Sequence, residues 1–249
     1  MSAVARAGAA RVRELLAAGA DPDEPDDHGT TPLYRAAVHG STELVRLLLA
    51  YGADPQLPGG ADDEGLPLCA AACWNHIGVV EALLGAGADP DLPEPPHPEQ
   101  TGPGTPPLLW AVRNGHREAV ELLLTAGADP DIPGTPLTIA ARGGRYGIVR
   151  TLLAHGADPA RPDESGRTAR TVATELTGAD PVALLAERWG DPGREFTVHS
   201  HPAGDGTDVI TLRYGTEGQG GEISMQNGHA MIAELLNDFL HRPVEPGPN

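Results

Sequence analysis

One five-residue phrase recurs along this chain. It reads AGADP at 18–22, YGADP at 51–55, AGADP at 86–90 and again at 126–130, and HGADP at 155–159. The glycines of successive copies lie 33, 35, 40 and 29 residues apart. A period near that length belongs to stacked supersecondary units rather than to one globular core. Such an array presents a long surface and has no built-in reaction centre, so function leans toward binding.

A second pattern precedes most copies. Thr31-Pro32-Leu33-Tyr34-Arg35-Ala36-Ala37-Val38-His39-Gly40 leads into Leu44-Val45-Arg46-Leu47-Leu48-Leu49. Thr31 suits a helix N-cap, and Pro32 suits the first helical position, where its missing N–H costs nothing. Leu33, Ala36 and Ala37 form an apolar face small enough for a neighbouring helix to come close. Gly40 ends this helix in a left-handed cap. Leu44, Val45, Leu47 and Leu48 follow at helical spacing, Gly52 ends the second helix, and Asp54-Pro55 opens a turn. Three further copies run Leu66-Pro67-Leu68 to Leu84, Pro106-Pro107-Leu108 to Leu123, and Thr135-Pro136-Leu137 to Leu153. A fifth is degraded, with Thr168-Ala169 at its start and Gly178, Val182, Leu184 and Leu185 beyond.

This pattern resembles the ankyrin repeat: a threonine-proline-leucine helix start, a glycine-histidine turn, a valine-x-x-leucine-leucine helix and a glycine-alanine-aspartate loop. The resemblance covers about residues 3–188, with 3–19 read as a lone second helix that caps the N-terminus. It implies a mainly α fold, an ankyrin-type helix-turn-helix solenoid of about five repeats. Three departures are visible. A Pro-rich insertion fills 92–104, and it is expected to be mobile because 94–104 hold no apolar anchor. The next connection, Asp131-Ile132-Pro133-Gly134, is shortened. The asparagine usual after the family's glycine-alanine-aspartate phrase is Asp23, Asp91 or Asp131 here.

Beyond Gly190 the repeat stops. Residues 195–201, 208–214 and 221–225 alternate like strands, with glycine-rich turns at 203–207 and 215–220, and 229–240 carries Met231, Ile232, Leu235, Leu236 and Phe239 at helical spacing. The expected division is an array over 1–189 and a small α+β unit, a three-stranded meander plus helix, over 190–249. A unit that small is expected to cover the open end of the fifth repeat rather than to stand alone.

Composition narrows the function. The formal charge of −18 repels phosphate backbones, so no nucleic acid is expected, whereas a basic protein would be met quickly. No stretch approaches the roughly 18 apolar residues of a membrane span. Arg6, Arg11, Arg13 and Glu14 interrupt any leader-like apolar run. A cytoplasmic monomer is expected. Its 17 basic residues are all Arg, which with the richness in Ala, Gly and Pro points to a GC-rich bacterial source.

The chemistry-bearing residues do not assemble into a reaction. His199-Ser200-His201 is similar to the histidine pair of the JAMM metalloproteases. That motif needs a serine and an aspartate further on, where this chain has Val209 and Leu212. His199 and His201 share a strand face, with His229 as a conceivable third ligand. Cys69, Cys73 and His76 share a helical face but lack a fourth ligand and the usual loop spacing. Asp21, Asp54, Asp89, Asp129 and Asp158 recur at the repeat period, too far apart for one ion, and read as turn caps. No enzyme, cofactor or metal is expected, and a hydrolase built on His199 and His201 stays as a remote alternative.

The resemblance places ligands on the concave face, where the residues before each inter-helix turn project. These are Val38 and His39, Cys73 and Trp74, Arg113 and Asn114, and Arg142 and Gly143. Trp110, one turn earlier in its repeat, and His28 in the first finger join the candidates. Trp74 stands out, because tryptophan anchors interfaces. The expected function is non-catalytic binding of a partner protein through this strip. The alternative is an acidic immunity-type inhibitor of a basic toxin or nuclease.

Overall fold

The computed structural model describes residues 8–60, 65–96, 104–177, 196–202, 208–216, 219–226, 231–233 and 235–236. The chain forms two compact units, Met1–Asp129 and Pro130–Asn249. The first holds α1 (Ala9–Ala17), α2 (Pro32–Val38), α3 (Thr42–Ala50), α4 (Pro67–Cys73), α5 (Ile77–Gly85), α6 (Pro107–Asn114) and α7 (Arg117–Thr125). The second holds α8 (Pro136–Arg142), α9 (Tyr146–Ala154), α10 (Ala169–Thr177) and strands β1 (Phe196–Pro202), β2 (Asp208–Thr216) and β3 (Gln219–Gln226). No helix among the described residues is long and apolar enough to cross a membrane.

In the first unit the odd and even helices form two rows. The first helices of the repeats, α2, α4 and α6, pack side by side, and α1, α3, α5 and α7 pack behind them. The expected N-terminal cap is α1, which buries Val12 and Leu16 and lies against α3. Equivalent positions do equivalent work in the four repeats whose two helices are both described. Ala36, Ala71, Ala111 and Ala140 are at most 2% exposed. Val45, Val80, Val120 and Val149, and likewise Leu48, Leu83, Leu123 and Leu152, show no exposed surface at all. Truncating one of these leucines to alanine costs about 2–5 kcal/mol, because the stack cannot close over the hole.

Helix starts follow the local chemistry where the connection is long enough. Thr31 accepts the Tyr34 N–H at 3.4 Å and Pro32 occupies the first turn. Thr135 departs from its expected likeness to Thr31. It sits at φ 50 and ψ 72 with no side-chain cap, a left-handed conformation that a β-branched residue tolerates poorly. The shortened connection 131–134 leaves too few residues to bring the chain in extended. Asn75 (φ 56) occupies the inter-helix turn where its counterparts Gly40, Gly115 and Gly144 have positive φ, and asparagine is the side chain that bears this conformation best.

Successive finger roots are tied by backbone N–H groups that donate to side chains of the preceding finger. The Asp54 N–H donates to both carboxyl oxygens of Asp23 at 3.2 and 3.1 Å. Asp89 N–H donates to Gln56 at 3.1 Å. Asp129 N–H donates to Asp91 at 3.0 and 3.2 Å, and in the second unit Asp158 N–H donates to Asp131 at 3.1 Å. Asp21, Asp54, Asp89 and Asp158 each cap their own turn by accepting the N–H two residues on. The turn-cap reading of these aspartates therefore holds.

In the second unit, α8 packs on α9 and α10. The strands form one antiparallel sheet in the order β1-β2-β3. Phe196 pairs with Tyr214 and Pro202 with Asp208, while Val209 pairs with Gln226 and Thr216 with Gln219. The ladder thus runs through Gly215 and Gly220, which the sequence reading assigned to a turn. β1 and β2 lie against α9. The boundary expected at 189/190 and the second helix of the fifth repeat fall outside the described residues. Within the helix expected at 229–240, residues 231–233 and 235–236 are helical, and Met231, Ile232 and Leu236 are buried.

Burial pushes the carboxyls of Asp23 and Asp91 above the ordinary range, against the lowering effect of the N–H each accepts, and neighbouring carboxylates add to the rise. Their contribution to stability is therefore full below the ordinary carboxylate pKa and is lost as pH rises through the raised value. Asparagine keeps the acceptor without the charge. The double variant Asp23→Asn/Asp91→Asn is expected to melt a few degrees higher than the parent at pH 7. That gain should shrink toward zero as pH falls into the carboxylate range, measured by circular dichroism melts across pH.

Candidate partner-binding site

The strip begins with how α2, α4 and α6 end. Each is short, starts on a proline and closes within two turns, so the residues at its C-terminus come to the same edge of the row. There Val38 is half-buried and His39 exposed, Cys73 is half-buried and Trp74 exposed, and Arg113 and Asn114 are both exposed. Trp74 is 63% exposed, the most exposed large apolar side chain among the described residues. His28 is exposed at the tip of the first finger, and its backbone N–H donates to Asp26 at 2.9 Å. Arg142 is exposed in the second unit, beside half-buried Gly143.

Polar groups on this edge are partly used up in holding the repeats together. His76 Nε2 lies 3.0 Å from the Val38 carbonyl, and His116 Nε2 lies 2.9 Å from the Cys73 carbonyl. Each histidine follows its inter-helix turn and satisfies a carbonyl left open at the C-terminus of the preceding repeat's first helix. The Asn114 amide also donates to the Cys73 carbonyl at 3.3 Å and approaches its Sγ at 3.5 Å. Burial pushes the Cys73 thiol above its ordinary value, and the Cys69 thiol well above it. Neither is poised as a nucleophile.

The insertion root was not foreseen. Trp110, one of the candidate residues, is half-buried and donates its Nε1–H to Glu94 Oε2 at 2.9 Å. Glu94 belongs to the stretch expected to hold no apolar anchor, and its side chain is fixed to α6 by a polar one instead. Glu94 N–H also donates to the Thr105 carbonyl at 3.3 Å, and Arg113 reaches Thr105 Oγ1 at 3.5 Å. The carboxyl is pushed up by burial, partly offset by the Trp110 bond. Residues 97–103 of the insertion lie outside the described residues.

Two finger aspartates also went unnoticed. Asp26 accepts the N–H of His28 at 2.9 Å and of Thr30 at 3.2 Å, and its other oxygen is paired with Arg35. Asp163 accepts Ser165 and Arg167 N–H at 2.9 Å and faces Arg142 and Arg167 at 3.4 Å. The backbone donors first, and the arginines after them, hold both carboxyls below the ordinary range. The signal was present in the sequence: each aspartate precedes a helix-starting threonine by five residues and a glycine by three. The side chains of His199 and His201 are not among those described. Among the described residues no group of three or more His, Cys, Asp or Glu side chains is arranged to hold a metal.

Comparison with known proteins agrees with the geometry. The family profile described as ankyrin repeats (3 copies) matches residues 1–94 and 108–195, and a second, ankyrin repeats (many copies), matches 68–124. The human ASB11 ankyrin repeat domain is similar in structure at TM-score 0.56 with 30% identity, over 68% of this chain and 74% of that one. The mouse (Mus musculus) 2-5A-dependent ribonuclease is 43% identical over 56 residues, which is 22% of this chain and 8% of that protein.

The site's geometry separates the two tryptophans. Trp74→Ala is a surface change and should move stability by no more than about 0.5 kcal/mol. Trp110→Ala leaves the half-buried Glu94 carboxyl without its donor and should cost roughly 1–3 kcal/mol. Denaturant unfolding of the two variants beside the parent checks the contrast.

Proposed function

The chain belongs to the ankyrin repeat family, and from that premise we propose that it is a non-catalytic module that binds a partner protein along the first-helix row of its N-terminal unit. Ankyrin repeats generally mediate protein–protein interaction. The observation that carries the reading here is Trp74, an indole left 63% exposed at the C-terminal end of α4. Exposed His39, Arg113 and Asn114 stand at the equivalent ends of α2 and α6. A large, stiff aromatic ringed by polar groups is the anatomy of an interface anchor. His28 on the first finger and half-buried Val38, Cys73 and Trp110 complete the contact set proposed for this unit, and Arg142 is a separate candidate in the second unit. A cytoplasmic location, a monomeric state and a capping role for 190–249 belong to the same proposal.

The acidic-inhibitor reading is favoured by one quantity, the net charge of −18. The first helices themselves argue against a basic partner on this row. The charged residues of α2, α4 and α6 are Arg35 and Arg113, with no carboxylate among them. A basic partner would instead meet the fingers, and its association rate would fall steeply with salt. The hydrolase alternative rests on His199 and His201. Metal analysis of the purified protein addresses it, and a metal-free, inactive sample removes it.

The experiment is a paired one. A partner is captured from the native host with the parent protein and identified by mass spectrometry, and its affinity is then measured for the parent and for Trp74→Ala. The variant should bind at least about 2 kcal/mol more weakly, the scale of an anchor residue. Arg113→Ala should act mainly on association rate. Unchanged affinity for Trp74→Ala at unchanged stability contradicts the proposed surface.

A further inference from the structure

The two ends of the Pro-rich insertion meet over the first-helix row, and one side chain lies at the meeting point. Glu94, at the start, accepts Trp110 Nε1–H of α6 at 2.9 Å. Its own N–H donates to the carbonyl of Thr105, at the end, at 3.3 Å. Thr105 is also touched by Arg113 of α6 at 3.5 Å, through Oγ1. From α4, Cys69 Sγ lies 3.9 Å from the Leu92 carbonyl and 3.6 Å from that of Thr105. Two glycines make the room. A Cβ at Gly65 would fall 2.2 Å from Glu94 Oε1, and a Cβ at Gly104 would fall 1.7 Å from the Glu94 carbonyl oxygen. The fit around Glu94 is thus built from the segment leading into α4, from α6 and from both ends of the insertion root.

We propose that Glu94 is a positioning residue: its carboxyl clasps the insertion root onto α4 and α6, and its protonation sets how firmly Trp110 is held there. The inference rests on the proposed function only for its consequence, since Trp110 and Arg113 belong to the proposed contact set. The clasp itself is a property of the protein alone.

The sign follows from what faces the carboxyl. The thiols of Cys69 and Cys73 face it from α4, and burial keeps both neutral. The Trp110 N–H faces it from α6, with the Arg113 guanidinium reaching Thr105 beside it. Gly65 brings no charge. Burial outweighs the Trp110 bond and raises the carboxyl above the ordinary range. The indole N–H bond is itself stronger to the ionised carboxylate, but the cost of the buried charge exceeds that gain, so the seated root as a whole favours the protonated form. The clasp is therefore tight on the acid side and loosens as pH rises through the raised value.

The test uses the full-length, ¹⁵N-labelled protein without partner. The chain has 3 tryptophans, so the indole N–H signal of Trp110 is assigned by its loss in Trp110→Phe. In the parent this signal should titrate with a midpoint above the ordinary carboxylate range. Its protection from solvent exchange, corrected for the intrinsic rate, should be several-fold greater on the acid side. Glu94→Gln retains an acceptor without the charge; it should abolish the titration and hold the acid-side protection throughout. A flat Trp110 signal in the parent, the same titration in Glu94→Gln, or loss of protection in Glu94→Gln overturns the proposal. Because no partner is present, none of these results depends on whether Trp74 binds one.

Discussion

Close approach between equivalent helices is the constraint on which this molecule depends. A helix pair of seven to nine residues per helix has no interior of its own. It becomes stable only when its neighbour covers the other side. Ala36, Ala71 and Ala111, all at most 2% exposed, let α2, α4 and α6 come together along one line. The fully buried leucines and valines of α3, α5 and α7 fill the space behind. With aromatics at only 4% of the chain, small and medium aliphatic side chains carry almost all of this packing.

Stacking also decides which polar groups remain for a partner. The finger roots use Asp23, Gln56, Asp91 and Asp131 to accept the next repeat's N–H. The turn histidines His76 and His116 close the open carbonyls of Val38 and Cys73. Asp26 and Asp163 are committed to their own finger turns. Against this background of groups spent on cohesion, Trp74 is conspicuous for being large, apolar and exposed. The use of aspartate where the family more often has asparagine adds a pH dependence to that cohesion, since Asp23 and Asp91 are strained by their charge rather than by their geometry.

Much of the array was legible because its signals are local and repeated. Thr31-Pro32 announces a helix start, Gly40 and Asn75 a turn, and Val45-x-x-Leu48 a buried face, and each agrees with the fold. What was missed depends on distance in sequence or on chain length. Thr135 shares the threonine-proline-leucine phrase, but a shortened connection forces it to φ 50, and no local rule reveals that. Glu94 and Trp110 are 16 residues apart, and nothing in either neighbourhood names the other. The absence of apolar anchors in 94–104 says nothing about a polar one. Asp26 and Asp163 differ: each stands five residues before a helix-starting threonine and three before a glycine, a spacing present in the sequence itself.

The claim that a partner docks on the first-helix row of the N-terminal unit is tested most directly by hydrogen exchange of the complex against the free protein. New protection is expected at the ends of α2, α4 and α6, in peptides containing His39, Trp74 and Asn114, with α3, α5 and α7 unchanged. Protection confined to α3, α5 and α7, or to the sheet formed by β1 to β3, would contradict it.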